Sequence, residues 1–140
     1  MSDHDLPDWP PGTVAVLATA GAAPHAIPVS TAVRAGPRRV LLALARTRAT
    51  LARLRVDPHC ALTVLAGDDV AFTAHGRATI VEDPMAVAES VVAVAIDVDV
   101  IQSHADPRFA IAAGVAWRWV DPDAAARDAA IHEALRGLAG

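Results

Sequence analysis

The sequence predicts a mainly β protein, a small antiparallel barrel with few helices, on three observations. Short apolar, β-branched runs are separated by Gly, Pro and Asp turns. The stretch Val70 to Ile80 alternates Val70, Phe72, Ala74, Gly76, Ala78 and Ile80 with Ala71, Thr73, His75, Arg77 and Thr79, the two-residue period of a half-buried strand. Helical patterning is limited to a short basic segment near the middle, a brief stretch after Asp83-Pro84 and a longer one at the end. With 140 residues, 54% of them hydrophobic, the chain reads as one domain with a real core.

In order, residues 1–11 read as a flexible N-terminus, acidic at first, and Thr13 to Ala20 as the first strand. Gly21 to Pro24 makes a turn into a second strand, His25 to Arg34, where Pro28 implies an edge or a bulge because proline cannot donate to a ladder. Ala35-Gly36-Pro37 turns into Arg38 to Ala45. Cys60 to Ala66 follows the basic helix, and Gly67-Asp68-Asp69 turns into Val70 to Ile80. Asp83-Pro84 opens a short helix to about Ser90. Val91 to Val100 reads as a strand from its β-branched density, and Val115 to Val120 as another, with Trp117 and Trp119 on one face and Arg118 on the other. Residues 122–138 form the C-terminal helix, capped by Asp121, started by Pro122, and striped by Ala126, Ala130, Ile131, Leu135 and Leu138. Six or so antiparallel strands argue for a barrel.

Charge is segregated. Residues 1–9 hold three acids and no arginine, 10–56 hold seven arginines and no acid, and 57–140 hold five arginines and thirteen acids, for a net charge of −4. A confined basic block on an acidic chain suits a compact anion, not nucleic acid, which needs a broad basic face. No apolar run reaches the ~18 residues of a membrane span, and the start is acidic where a secretion signal is basic, so the expected location is the cytoplasm, with no membrane partner. Cys60 is the only cysteine, which excludes an internal disulfide, and its strand-like flanks make it a small buried apolar residue.

The organising stretch is Val40 to Pro58. A buried-strand pattern (Val40, Leu41, Leu42, Leu44) runs straight into the basic helix, with Thr47 as expected N-cap, Leu51 and Leu54 docking, and Arg48 and Arg55 on the adjoining stripe. Asp57-Pro58 ends it. A helix N-terminus beside guanidinium groups is suited to a phosphate monoester. Other constellations carry less. Ser103, His104 and Asp106 describe a loop without a nucleophile elbow; Asp97 and Asp99 with His104 read as a solvated strand face before a metal site; His25, His59 and His75 read as hydrogen-bonded barrel residues; no P-loop or dinucleotide fingerprint occurs. An anion-binding corner on a β scaffold without acid/base machinery suits a protein whose chemistry resides in a bound cofactor such as a flavin.

The order LATAGAAPHAIPVSTAVRAG, RRVLLALARTRATLARLRVDPHCALTVL and VAFTAHGRATIVED resembles the flavin-binding split-barrel family typified by pyridoxamine 5′-phosphate oxidase and its actinobacterial relatives, over roughly Gly12 to Asp83 with a weaker echo at Val115 to Val120. The resemblance implies a six-stranded Greek-key split barrel, a homodimer, and FMN in a groove between subunits, acting as an oxidoreductase on a small-molecule substrate. It places the flavin ring on His25 to Thr31 (Pro28, Val29, Ser30 and Thr31 foremost) and Ala43 to Ala45 (Leu44 and Ala45). It places the phosphate at Arg46, Thr47, Arg48 and Thr50, with Trp117 near the groove.

One departure is important. The family commonly carries a basic residue seven positions before the Asp of its Asp-Pro end, and that position is Thr50, so Arg46, Arg48 or Arg55 would have to compensate. The second strand also lacks the basic residues that pyridoxamine phosphate oxidases present to the ring, which argues against that specific activity. A deazaflavin coenzyme, whose acidic tail would suit the arginine block, and haem or another tetrapyrrole are the alternative ligands. A non-catalytic dimeric barrel is the alternative class.

Overall fold

The computed structural model describes residues 5–140. Residues 1–4 of the expected flexible N-terminus lie outside the described residues. The rest of that segment is docked. Leu6 is buried and its N–H donates to Pro37 O (2.7 Å), Arg34 Nε donates to Leu6 O (2.9 Å), and Trp9 Nε1 donates to Ala32 O (2.9 Å) while its ring tilts against Phe72 at 5.7 Å.

Seven strands form one antiparallel sheet: β1 (Ala15–Thr19), β2 (His25–Val29), β3 (Val33–Gly36), β4 (Arg39–Ala45), β5 (His59–Ala66), β6 (Val70–Glu82) and β7 (Val91–Ser103). Their order is β2-β1-β5-β6-β7-β4-β3. The mainly β split-barrel class is as the sequence predicts, with seven strands in place of six. The extra strand arises because the stretch expected as one strand, His25 to Arg34, breaks at Ser30–Ala32. Its halves, β2 and β3, lie at opposite ends of the ladder order, so three residues carry the chain across the barrel's seam. Pro28 sits on edge strand β2, where its missing N–H costs nothing. The Thr31 hydroxyl stitches the break by accepting from Ala43 N–H (2.9 Å) and donating to Ala43 O (3.0 Å), replacing a rung of backbone pairing.

The near-continuous apolar runs of β4 and β7 have a physical cause: both strands are buried on both faces. Val40, Leu42, Leu44, Val92, Val94, Ile96 and Val98 fill the barrel core with Leu17, Leu62, Val64 and Phe72. The intervening Leu41, Ala93 and Ala95 face outward with Val33 and Met85, under the helix α2 (Pro122–Ala139), which contributes Ile131 and Leu135. Asp121 caps α2 by accepting from Asp123 N–H at 3.0 Å, and Pro122 opens it. Of the expected stripe, Ile131 and Leu135 are buried and Ala130 and Leu138 half-buried. Ala126 is exposed, and Ala124, Asp128, Ile131 and Leu135 form the inward line.

Two further expectations are corrected. The segment after Asp83 is a pair of tight turns joined by a Met85–Ala88 bridge, not a helix, because the chain needs only to reverse from β6 into β7. Residues 115–120 form no strand and are part of an exposed arm held by Ile111, whose backbone exchanges hydrogen bonds with Asp69, and by Trp117 Nε1, which donates to Gly12 O (2.8 Å). β6 and β7 bend at a bulge between His75 and Gly76, where a Cβ on Gly76 would stand 2.1 Å from Asp97 O. Among the described residues no helix is long and apolar enough to cross a membrane.

Candidate cofactor site

The β4 strand delivers the chain from the core to the surface at Ala45, and α1 (Ala49–Val56) begins four residues later. Its N-cap is Arg48 in extended conformation, not Thr47, and no side chain caps it. Leu51 and Leu54 bury as their spacing requires, the first turn holds no acid, and Asp57 ends the helix in extended conformation before Pro58. Arg48 therefore stands at the positive end of α1, exposed, and its guanidinium has no hydrogen-bond or ion-pair partner among the described residues.

Two adjoining compartments open here. The smaller, about 200 Å³, is lined by Pro28, Val29, Ser30 and Thr31 at the seam, by Ala43, Leu44 and Ala45 of β4, and by Arg48, Trp119 and Asp128. The larger, about 680 Å³, is lined by Ala45, Arg46, Thr47 and the Glu89–Val91 turn on one side and by Trp119, Ala124, Arg127, Asp128 and Ile131 on the other. They share Ala45, Trp119 and Asp128. The larger falls within the size range of small-molecule sites, about 300–1,000 Å³, and the smaller lies just below it.

Of the residues named from sequence, Pro28 to Thr31, Leu44, Ala45, Arg46, Thr47 and Arg48 line these compartments. Three do not. Thr50 is 1% exposed and faces inward, its Oγ1 2.9 Å from His25 Nε2. Arg55 pairs with Asp83 (2.9 Å) and lines a separate 270 Å³ hollow with Leu54, Pro58 and Ile80. Trp117 is engaged with Gly12, and its neighbour Trp119 takes the place at the cavity; the two rings meet edge to face at 5.3 Å. Arg46 lies 3.4 Å from the same Asp83, so this carboxylate orients two of the block's arginines and does not engage Arg48.

The wall contributed by α2 was missed by sequence reasoning. Asp128 Oδ2 accepts from Trp119 Nε1 (3.3 Å) and lies 3.5 Å from His132 Nε2. A signal existed: Asp128 is a charged residue on the helix's apolar line, with Ala124, Ile131 and Leu135 at intervals of four, three and four.

The remaining candidates have local partners. His104 Nε2 meets Thr73 Oγ1 at 2.7 Å, Asp106 pairs with Arg108, His75 meets Gln102, and His59 pairs with Asp57. Hydrogen bonds from Arg108 hold the Asp106 carboxyl below its usual range, and those from the backbone and ring of His59 do the same for Asp57. Burial pushes the Cys60 thiol up to about 11, which keeps it protonated and unreactive.

The comparisons with known proteins agree with this architecture. A search of curated proteins gives no match. Solved structures with the same fold include an F420 reductase (TM-score 0.56, 14% identity, covering 65% of this chain and 90% of that one) and an FAD-binding protein from Mesorhizobium loti (0.53, 14%, 64% and 83%). Another is HupZ of Group A Streptococcus (0.57, 13%, 74% and 90%). A family model described as pyridoxamine 5′-phosphate oxidase matches residues 9–117, most of the barrel and the arm, and the chain belongs to that family.

Proposed function

We propose that the protein binds a flavin, FMN in the first instance, and acts as an oxidoreductase on a small organic molecule. The observation that carries the reading is the convergence of the seam residues Pro28 to Thr31, the end of β4 and the unpartnered Arg48 on one cavity. The residues fit such a ligand. The seam and β4 offer a mostly apolar shelf for a planar ring, while Arg48 and the exposed start of α1 offer charge and N–H groups to a phosphate. Bound there, the flavin would supply the hydride or electron chemistry, and the chain's part is to hold the phosphate, seat the ring and shield one face with Trp119.

A deazaflavin is the second reading, favoured by one observation. The cavity continues past Thr47 to Arg127, giving an acidic tail a cationic path longer than a single phosphate needs. Haem has less support, since no histidine lines either compartment. We also propose a homodimer. The apolar surplus of β4 is covered by the chain's own α2, so the supporting surface is instead the exposed Val16, Leu65, Val115 and Trp117, with the arm lying against Gly12 and the end of β5.

The test is a visible-absorbance titration of the purified protein with FMN and, separately, with the deazaflavin F420. Saturable perturbation by one of them is the expected result. No binding of either overturns the oxidoreductase reading.

A further inference from the structure

Asp128 is the feature that the flavin reading leaves without a task. It is a carboxylate set in a cavity with Arg46, Arg48 and Arg127, and it belongs to both compartments. It is built in place. Its Oδ2 is engaged by Trp119 and by His132, and its Oδ1 has no hydrogen-bond partner among the described residues. His132 is 5% exposed, and its Nδ1 is buried with no hydrogen-bond partner among the described residues. Burying an imidazole with one nitrogen unsatisfied costs stability, and a helix with a leucine or alanine there would avoid that cost. The other nitrogen's position against Asp128 is what the arrangement secures. Arg127, the preceding residue, lines only the larger compartment, and its guanidinium has no partner among the described residues.

We propose that the larger compartment is a second-ligand subsite for an organic acid that also carries a hydroxyl or amine N–H. Arg127 binds the acid group. Asp128, through its open Oδ1, accepts the hydrogen bond from the ligand's donor. His132 is a positioning residue: it and Trp119 hold Oδ2, so the carboxylate cannot swing onto the neighbouring arginines. Because Asp128 and Trp119 border both compartments, the donor end of this molecule would face whatever lies on the Pro28 to Thr31 shelf. The inference rests on the flavin reading only for that last step, and it names the class of molecule that would meet the cofactor.

Calorimetric titration of the full chain with 6-hydroxyhexanoate, hexanoate and 1-hexanol separates the contributions, with FMN titrated on the same samples. The hydroxy acid should bind at least tenfold tighter than hexanoate, and hexanol should give no saturable isotherm. Arg127→Ala should abolish binding of both acids. Asp128→Ala should leave hexanoate bound and bring the ratio near one; if that variant fails to fold, Asp128→Leu takes its place. His132→Phe, which keeps bulk but removes the nitrogen, should lower the ratio without changing hexanoate affinity, and His132→Gln, whose amide can donate to Asp128, should restore it. Equal affinity for the two acids in the natural sequence, no isotherm for either, or a ratio unmoved by loss of Asp128 overturns the proposal. Failure of FMN alone removes the FMN reading, leaves the deazaflavin to its own titration, and leaves the acid subsite standing on its own ratio.

Discussion

His25 Nε2 lies 2.9 Å from Thr50 Oγ1, tying the first residue of β2 to the first turn of α1. Position 50, where the resemblance implied a basic residue, thus holds a buried threonine with a partner of its own. A buried hydroxyl satisfied by an imidazole leaves no room for a cation that reaches solvent. Thr50→Val should cost about 1–2 kcal/mol by stranding the His25 nitrogen, and Thr50→Lys about 3 kcal/mol or more by burying an unpaired charge, with no gain in FMN affinity. Urea denaturation and the FMN titration check both parts.

Arg48 and Arg55 read alike in the sequence but differ in partners. Arg48→Ala should weaken FMN binding by about 1.5–3 kcal/mol, the range of a hydrogen bond to a charged group. Arg55→Ala removes only the Asp83 pair and should leave the FMN dissociation constant within about twofold of its original value, an effect below ~0.5 kcal/mol. Equal losses in the two variants would show that the anion sits on the outward stripe of α1.

Trp119→Phe should remove most of any tryptophan quenching caused by bound flavin, and Trp117→Phe much less, because only the first ring lines the compartments. Trp9, packed on Phe72, keeps its emission and supplies the background. The reverse ranking in a fluorescence titration would put the ring on the Gly12 side of the arm.

Gly76→Ala should destabilise the fold by about 3 kcal/mol or more, since its methyl group would meet a backbone carbonyl of β7, which cannot rotate away. Thermal melting would report it. Ala78→Gly, two residues along the same strand, should cost only about 1 kcal/mol.

Cys60 gives a pH dependence with a definite sign. Its thiol is raised from 9.0 to about 11 on folding, so the unfolded chain ionises first. The stabilisation is fully present below pH 9 and is lost as pH rises toward 11, by up to ~3 kcal/mol at 1.36 kcal/mol per unit. Denaturation midpoints at pH 8 and 10.5 should differ less in Cys60→Ala than in the natural sequence.

The barrel was legible because its signals are local. Alternation in β6, the Asp121-Pro122 start of α2, and the strand-to-helix join at Ala45 each follow from a few adjacent residues. The errors lie where partners distant in sequence decide. Residues 115–120 have strand composition but no neighbouring edge to pair with, so they remain an arm. Thr47 could cap α1 by type, yet the chain enters the helix one residue later. One half of the cavity was readable from the arginine block. The other half depends on α2 folding back over β3 and β4, which periodicity alone does not reveal, although Asp128 on an apolar line marked the place.

The crossing at Ser30–Ala32 has a mechanical consequence. The two ends of the hydrogen-bonded ladder are joined there by covalent backbone, and one threonine hydroxyl ties the crossing to β4, so the cylinder is closed by a hinge pin instead of a zip. A molecule lodged against Pro28 to Thr31 and Ala43 to Ala45 would bridge β2 and the last residues of β4, which β3 does not pair with, and act as a second pin. Its presence would register as slower hydrogen exchange along β2 and β3, the outermost strands of the ladder, without any change in the path of the chain.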